Sequence, residues 1–153
     1  WIMLNNKKSG TIGEYAFVVE ALKQGLDVYT PIGDYSTTDI LVENPDGKHF
    51  RVQVKTTGKR IDNHRFKVVV GQGLKKQRLK RKDVDVLAVY LSSIDCWFII
   101  PMSKTKGQKT FALYTQRNSK SQWSRYKNNW DLFFHPKKAP MKEINKLKNH
   151  VST

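Results

Sequence analysis

Asp39, Gln53 and Lys55 have the types and spacing best suited to chemistry: a carboxylate, an amide oxygen and an ammonium that could together build a metal site. They lie on two short apolar runs. Asp39 precedes Ile40-Leu41-Val42, and Gln53 and Lys55 end the run that starts at Phe50, with Asn44-Pro45-Asp46-Gly47 between. Pro at the second and Gly at the fourth position of that tetrapeptide suit a type I turn followed by a left-handed residue, the three-residue hairpin with a G1 bulge. With Asn44 and Lys48 flanking the loop, counting back along both strands sets Asp39 opposite Gln53, with Cβ atoms roughly 4.5–5.5 Å apart. A two-residue turn would set Asp39 against Val52, and a one-residue slip sends the two side chains to opposite faces. Lys55 projects from the same face as Gln53, while Val52 and Val54 point the other way into a core.

The elements that must position these residues can be read on either side. Ser9 caps a predicted helix in which Ile12, Ala16, Val19 and Leu22 recur at helical spacing up to Gly25, its C′ residue. Phe17 and Val18 broaden its apolar face, so a sheet should cover it. Glu14 lies in its first turns, where a carboxylate suits the helix dipole. Leu26 to Thr30 reads as a short strand and Pro31 to Asp34 as a turn. Arg65 to Val70 alternates Phe66, Val68 and Val70 against Lys67 and Val69, a further strand, with Lys59 to Lys67 an exposed ribbon tip. Asp83 to Leu91 and Cys96 to Ile100 predict a hairpin central to the sheet, in which Asp85 is a partly buried carboxylate in need of partners.

Beyond Pro101, Lys104 to Lys109 reads as a basic loop and Phe111 to Tyr114 as an edge strand. Trp123, Tyr126 and Trp130 at i, i+3 and i+7 predict a helix starting at Ser119 or Ser121, its stripe packed in the core or at a subunit interface. Met141 to His150 reads as a short basic amphipathic helix. No repeat or linker divides the chain, and a single domain over residues 1–153 is expected.

A net charge of +15 with pI near 10 points to a polyanionic partner, above all nucleic acid. Eleven basic residues fall between Lys55 and Lys82 against one acid, Asp62. The single Cys96 allows no internal disulfide, the longest apolar run is too short to span a bilayer, and the N-terminus shows no signal pattern. A soluble, cytoplasmic protein with no membrane partner is expected. His49, His135 and His150 lack metal-ligand spacing, and Cys96 has no companion for zinc.

The order helix Glu14, strand, Asp39 on a hairpin, Gln53-Val54-Lys55, then further strands resembles the PD-(D/E)XK nuclease superfamily of restriction enzymes and Holliday-junction resolvases. The similarity runs over roughly residues 9 to 101. Gly10-Thr11-Ile12-Gly13-Glu14, Asp39, Val52-Gln53-Val54-Lys55, Val84 to Val89 and Ile99-Ile100-Pro101 have counterparts in its small resolvase-like branch. The Gln-X-Lys variant, the small size and the basic ribbon are most similar to homing endonucleases of group I introns in cyanobacterial tRNA genes. Two features depart from the common motif: Thr38 rather than Pro precedes Asp39, and Gln53 stands in place of a carboxylate. The resemblance implies an α/β fold, a restriction-endonuclease-like core with a central mixed sheet flanked by helices, and cleavage of duplex DNA at a long site.

Phosphodiester hydrolysis asks for charge neutralisation at the scissile phosphate and for hydroxide beside it, which Mg²⁺ supplies when one or two carboxylates hold it and leave water positions open. On this reading Asp39 is the principal ligand, the Gln53 oxygen a neutral second, the Val54 main-chain carbonyl a third, and Glu14 binds directly or through water. Lys55 would orient or deprotonate the attacking water, or stabilise the pentavalent charge. For DNA, Lys59, Arg60, Asn63, His64, Arg65 and Lys67 form a ribbon for the major groove, where Arg60 or Arg65 could bond guanine and Asn63 adenine. Lys75, Lys76, Gln77, Arg78, Lys80, Arg81 and Lys82 would contact phosphates. Cutting both strands needs two active sites, so a homo-oligomer is expected, a dimer at minimum and a tetramer if aromatics from Trp123 to Trp130 are exposed. A Holliday-junction resolvase and a DNA-binding module without catalysis are the rival readings.

Overall fold

The computed structural model describes residues 5–33, 35–71 and 82–135. The basic residues Lys75 to Arg81 and the C-terminal helix expected from Met141 lie outside the described residues. A helix α1 (Asn6–Lys23) is followed by strands β1 (Asp27–Tyr29), β2 (Ile40–Glu43), β3 (His49–Thr57), β4 (Arg65–Val69), β5 (Val86–Leu91) and β6 (Cys96–Pro101). A four-residue helix α2 (Met102–Thr105), strand β7 (Thr110–Tyr114) and two 3-10 turns (Ser124–Tyr126, Trp130–Phe133) complete the described residues.

Five strands form one mixed sheet in the order β1-β2-β3-β5-β6, with β3 at its centre and parallel only to β5. Because side chains alternate along β5, Val86 and Ala88 face one layer while Leu87, Val89 and Leu91 face the other. On the first side α1 packs Phe17 and Ala21 against Val52, Val54, Val86 and Ala88. The second side is covered by the antiparallel ribbon β4–β7, whose Phe66, Val68, Phe111 and Leu113 join Leu87, Val89 and Leu91. The expected central mixed sheet with helical packing is therefore present, with a β-ribbon covering its second face. Among the described residues no helix is long and apolar enough to cross a membrane.

Four expectations need correction. The cap of α1 is Asn5, whose Oδ1 accepts from Lys8 N at 2.9 Å, so the helix begins before Ser9; its other end meets the expected Gly25, at φ 88°. The buried face of α1 is Gly13, Phe17 and Ala21, whereas Ile12, Val19 and Leu22 are exposed. Strand β6 is an edge rather than a central strand. Its apolar side chains stay buried because both faces of the sheet are covered, Trp97 and Ile99 in one layer and Phe98 and Ile100 in the other, while Asn128 bonds its edge: Asn128 N donates to Trp97 O at 2.8 Å and Trp97 N to Asn128 Oδ1 at 3.2 Å.

The tryptophan helix is also absent. Asn128 turns the chain through φ 48°, splitting the segment into two 3-10 turns that send Trp123 and Trp130 into different core layers. Both indoles are buried, at 6% exposure, so the core half of the expectation holds and the argument for a tetramer from exposed aromatics there does not.

Candidate active site

The site is built where β2 parts from β3. Asn44 N donates to Lys48 O at 2.9 Å and Gly47 takes φ 78°, the bulged turn that the Asn-Pro-Asp-Gly segment favours. The resulting register pairs Ile40 with Val52 and Val42 with Phe50, so the next step back sets Asp39 against Gln53. Continuing it, Val54 N–H would meet the carbonyl of Thr38. Instead the chain before Ile40 leaves the sheet, with the Thr38 hydroxyl donating to Asp83 O at 3.1 Å. Asp39 takes the vacated place: its Oδ2 accepts from Val54 N at 2.8 Å and from Gln53 Nε2 at 2.5 Å.

That arrangement orients both side chains. A carboxylate only accepts, so the Gln53 amide must turn its nitrogen to Asp39 and its oxygen away. The residue is 5% exposed, and among the described residues Gln53 Oε1 has no hydrogen-bond partner. A buried amide oxygen in that state costs free energy until something electropositive meets it. Strand alternation adds a second oxygen. Arg51 O accepts from Asp85 N on the β5 side and Val52 O from Asp39 N on the β2 side, so Val54 O belongs to the β2 edge, beside Asp39. Carboxylate, amide and main-chain oxygens are the donor set of a hard divalent cation, which these residues fit. Among the described residues no three His, Cys, Asp or Glu side chains converge, so a cation here would rest largely on neutral oxygens beside Asp39.

Lys55 is partly buried two residues along β3 from Gln53, on the face that carries Gln53. Glu14 is carried by α1, on the other side of the sheet. The helix turn that carries it crosses β3 so closely that a Cβ at Gly13 would stand 1.7 Å from Thr56 Oγ1, next in sequence to Lys55. Glu14 itself is exposed at the margin of the buried stripe. The sequence reading took Gly13 only as part of a motif and did not foresee its contact with Thr56, although a glycine inside a helix pattern is itself a signal of close approach.

Asp85, expected to need partners, has them in Arg51. Its Oδ2 accepts from Arg51 N at 2.8 Å and Nε at 3.1 Å, and its Oδ1 from Nη2 at 3.0 Å. Burial works against its charge, but these bonds and the guanidinium outweigh it and hold the carboxyl below the usual range. The same guanidinium donates from Nη1 to Lys82 O, fixing the chain that leads into β5.

Of the DNA candidates, Lys59, Arg60, Asn63 and His64 are exposed on the turn between β3 and β4, and Lys67 is exposed on β4. The two arginines are already engaged. Arg60 lies over the Phe66 ring, 5.5 Å from its centroid, and Arg65 is half-buried, its cation stabilised first by Tyr114 and also by Asp62, whose Oδ2 lies 3.1 Å from Nε. Lys82 is exposed directly before Asp83, to which Thr38 is bonded, so this end of the basic segment comes near Asp39. His49 pairs with Glu43 at 2.9 Å, and Cys96 is buried, its thiol pushed up by burial.

No curated protein matches the chain. Among solved structures it is similar to that of the bacterial homing endonuclease I-Ssp6803I, with a TM-score of 0.71 and 23% identity over 88% of this chain and 94% of that one. At that identity the likeness is one of fold. Residues 4–133 match the sequence profile of the PD-(D/E)XK endonucleases, a span that takes in α1, the Asp39 hairpin, β3 with Gln53 and Lys55, and the rest of the sheet. The chain belongs to the PD-(D/E)XK endonuclease family.

Proposed function

We propose that the chain is a site-specific endonuclease of double-stranded DNA, of the intron-homing type, that works with Mg²⁺ as a homo-oligomer. The observation that carries this is the buried Gln53 oxygen, without a hydrogen-bond donor among the described residues, set against an Asp39 whose orientation is fixed by Val54 N and Gln53 Nε2. A divalent cation held by Asp39, Gln53 Oε1 and Val54 O, with Glu14 nearby, would neutralise phosphate charge and acidify a bound water.

The chain's own groups do the rest. The Asp39 carboxylate is fixed in place before substrate arrives, so little reorganisation accompanies binding. Lys55 presents its ammonium on the same face, where it can steady charge developing on the phosphate or orient the attacking water. Lys59, Asn63, His64 and Lys67 are exposed for the duplex, Arg60 and Arg65 stiffen the ribbon that carries them, and Lys82 adds a cation near Asp39. The net charge of +15 supplies the attraction that makes such binding strong and salt-dependent. The homing assignment is supported by the fold shared with I-Ssp6803I and by the Gln-X-Lys spacing.

The test is one gel with long linear DNA and a four-way junction, each with Mg²⁺ or with EDTA. A few discrete duplex fragments with Mg²⁺ alone are expected, and Asp39→Ala and Lys55→Ala should shift DNA without cutting it. Full cleavage by Asp39→Ala overturns the site. Resolution of the junction alone, or shifts without cuts from the unaltered protein, overturns the function.

A further inference from the structure

The face of α1 turned away from the sheet carries four large apolar side chains in water. Ile12 is 44% exposed, Tyr15 70%, Val19 53% and Leu22 55%. Their spacing of three, four and three residues is that of the a and d positions of a heptad, which line the seam between two packed helices. The opposite face, Gly13, Phe17 and Ala21, is already committed to the protein's own sheet. Natural surfaces scatter such residues singly, and a contiguous row marks a contact.

Charge selects the partner. Between Ser9 and Gly47, Lys23 is the single Lys or Arg in a chain that has 28. Two copies carrying +15 each repel on approach, and a face poor in cations lessens that repulsion. The positions flanking the seam, Thr11, Ala16, Val18 and Lys23, carry one charge among them. The first turn of α1 holds no acid but has Lys7 and Lys8, which disfavour its own dipole. A helix packed antiparallel brings those lysines toward the partner's helix C-terminus. It also sets Ile12 against Leu22 and Tyr15 against Val19, a large ring facing a small side chain in each half.

We propose that α1 is a homodimer interface, two copies packing this stripe antiparallel about a two-fold axis. The duplex cleavage proposed above calls for two sites and is one support of this inference. The active-site side of α1, where Gly13 meets Thr56, faces away from the seam, so pairing leaves each site open. Half-exposed side chains of this size present on the order of 100 Å² each. The stripe and its flanks then bring the two copies together to about 1,000 Å², the lower limit for a specific interface, so a micromolar Kd is expected.

Sedimentation velocity of the full chain without DNA, across the micromolar range, should show a monomer giving way to a dimer. Val19→Glu should remain monomeric with its melting temperature kept, whereas Ile94→Glu, on the β5–β6 turn, should dimerise normally. A cross-link gives the orientation without relying on a disruptive variant. Ile12 and Leu22 lie about 15 Å apart along one helix, too far for an internal disulfide. Ile12→Cys/Leu22→Cys should therefore oxidise to a covalent dimer and neither single variant should, the native Cys96 being buried. A wild-type chain that stays monomeric throughout, a dimer that survives Val19→Glu, or cross-linking of Ile12→Cys alone overturns the proposal. None of these readings depends on cleavage, so failure of the nuclease assignment would be seen separately.

Discussion

Replacing Gly10 and Gly13 of α1 in turn by alanine should change stability in opposite directions. Alanine is the better helix former by about 1 kcal/mol at either position. At Gly10 an added Cβ meets nothing within 4 Å, so Gly10→Ala should gain most of that. At Gly13 the added Cβ lies 1.7 Å from Thr56 Oγ1 and 3.0 Å from Thr56 Cβ. Rotation about χ1 can withdraw the hydroxyl but cannot move the Thr56 Cβ, so helix and strand must also separate by a few tenths of an ångström. Phe17 and Ala21, fully buried one and two turns on, resist that shift. Overpacking of this kind costs about 1–3 kcal/mol, leaving Gly13→Ala roughly 1–3 kcal/mol less stable than Gly10→Ala. Thermal unfolding reads the pair: for a chain of this size, about 2–4 °C per kcal/mol, with Gly10→Ala melting above wild type and Gly13→Ala below it. Thr56→Ala should relieve much of the Gly13→Ala cost, a coupling of about 1 kcal/mol in a double-mutant cycle. If Gly13→Ala is as stabilising as Gly10→Ala, the close crossing of helix and strand is wrong, and so is the placement of Glu14 that depends on it. Were the crossing right, Gly13→Ala should lose cleavage more than DNA binding.

Gln53→Glu puts a second carboxylate 2.5 Å from Asp39 in place of an N–H donor, so without metal one of the two should hold a proton at neutral pH. Thermal melts with and without Mg²⁺ should show a larger metal-dependent rise than wild type, and an equal or smaller rise would contradict the proposed ligand set. Asp85 has its pKa lowered on folding, so it contributes stability above the unfolded carboxylate value, near pH 4, and loses it as pH falls through the lower folded value. Asp85→Asn should cost about 1–2 kcal/mol at neutral pH, less than a fully buried pair because both partners are partly exposed, and should flatten the acid limb of a denaturant-midpoint profile.

What could be read from the sequence was set by local chemistry. The Asp39–Gln53 register was legible because Asn44-Pro45-Asp46-Gly47 allows few turns, and the turn fixes every pair behind it. The alternation of Phe66, Val68 and Val70 gave β4 for the same reason. The face of α1 was misread because Ile12, Val19 and Leu22 are its larger apolar residues, whereas the sheet selected small Gly13 and Ala21 beside Phe17. Close approach to β3 rewards the absence of a side chain, which hydrophobic spacing does not register. Likewise the tryptophan spacing suited a helix, but Asn128 turned the backbone to serve Trp97, and nothing local to residues 119–130 announces the edge they cover. The parallel neighbour of β3 is set by a crossover of many residues, so β6 could not be recognised as an edge from its own apolar sequence.

Asp39 and Asp85 do the same work on opposite edges of β3, and their difference separates scaffold from site. Each takes a strand N–H that a neighbouring backbone carbonyl does not fill: Val54 N for Asp39, Arg51 N for Asp85. Asp85 is then completed by a guanidinium that balances its charge and uses both of its oxygens. Asp39 also bonds the neutral amide of Gln53, which turns outward an oxygen that meets no donor among the described residues. That buried acceptor can take a cation from solution, whereas the Arg51–Asp85 pair uses both oxygens of Asp85. Exchanging the chemistry should therefore exchange the behaviour. Gln53→Lys, which removes that acceptor and puts an ammonium in its place, should abolish the Mg²⁺ dependence of the melt. Should Mg²⁺ still raise the melting temperature of Gln53→Lys, Asp39 and Gln53 would not be the ligands.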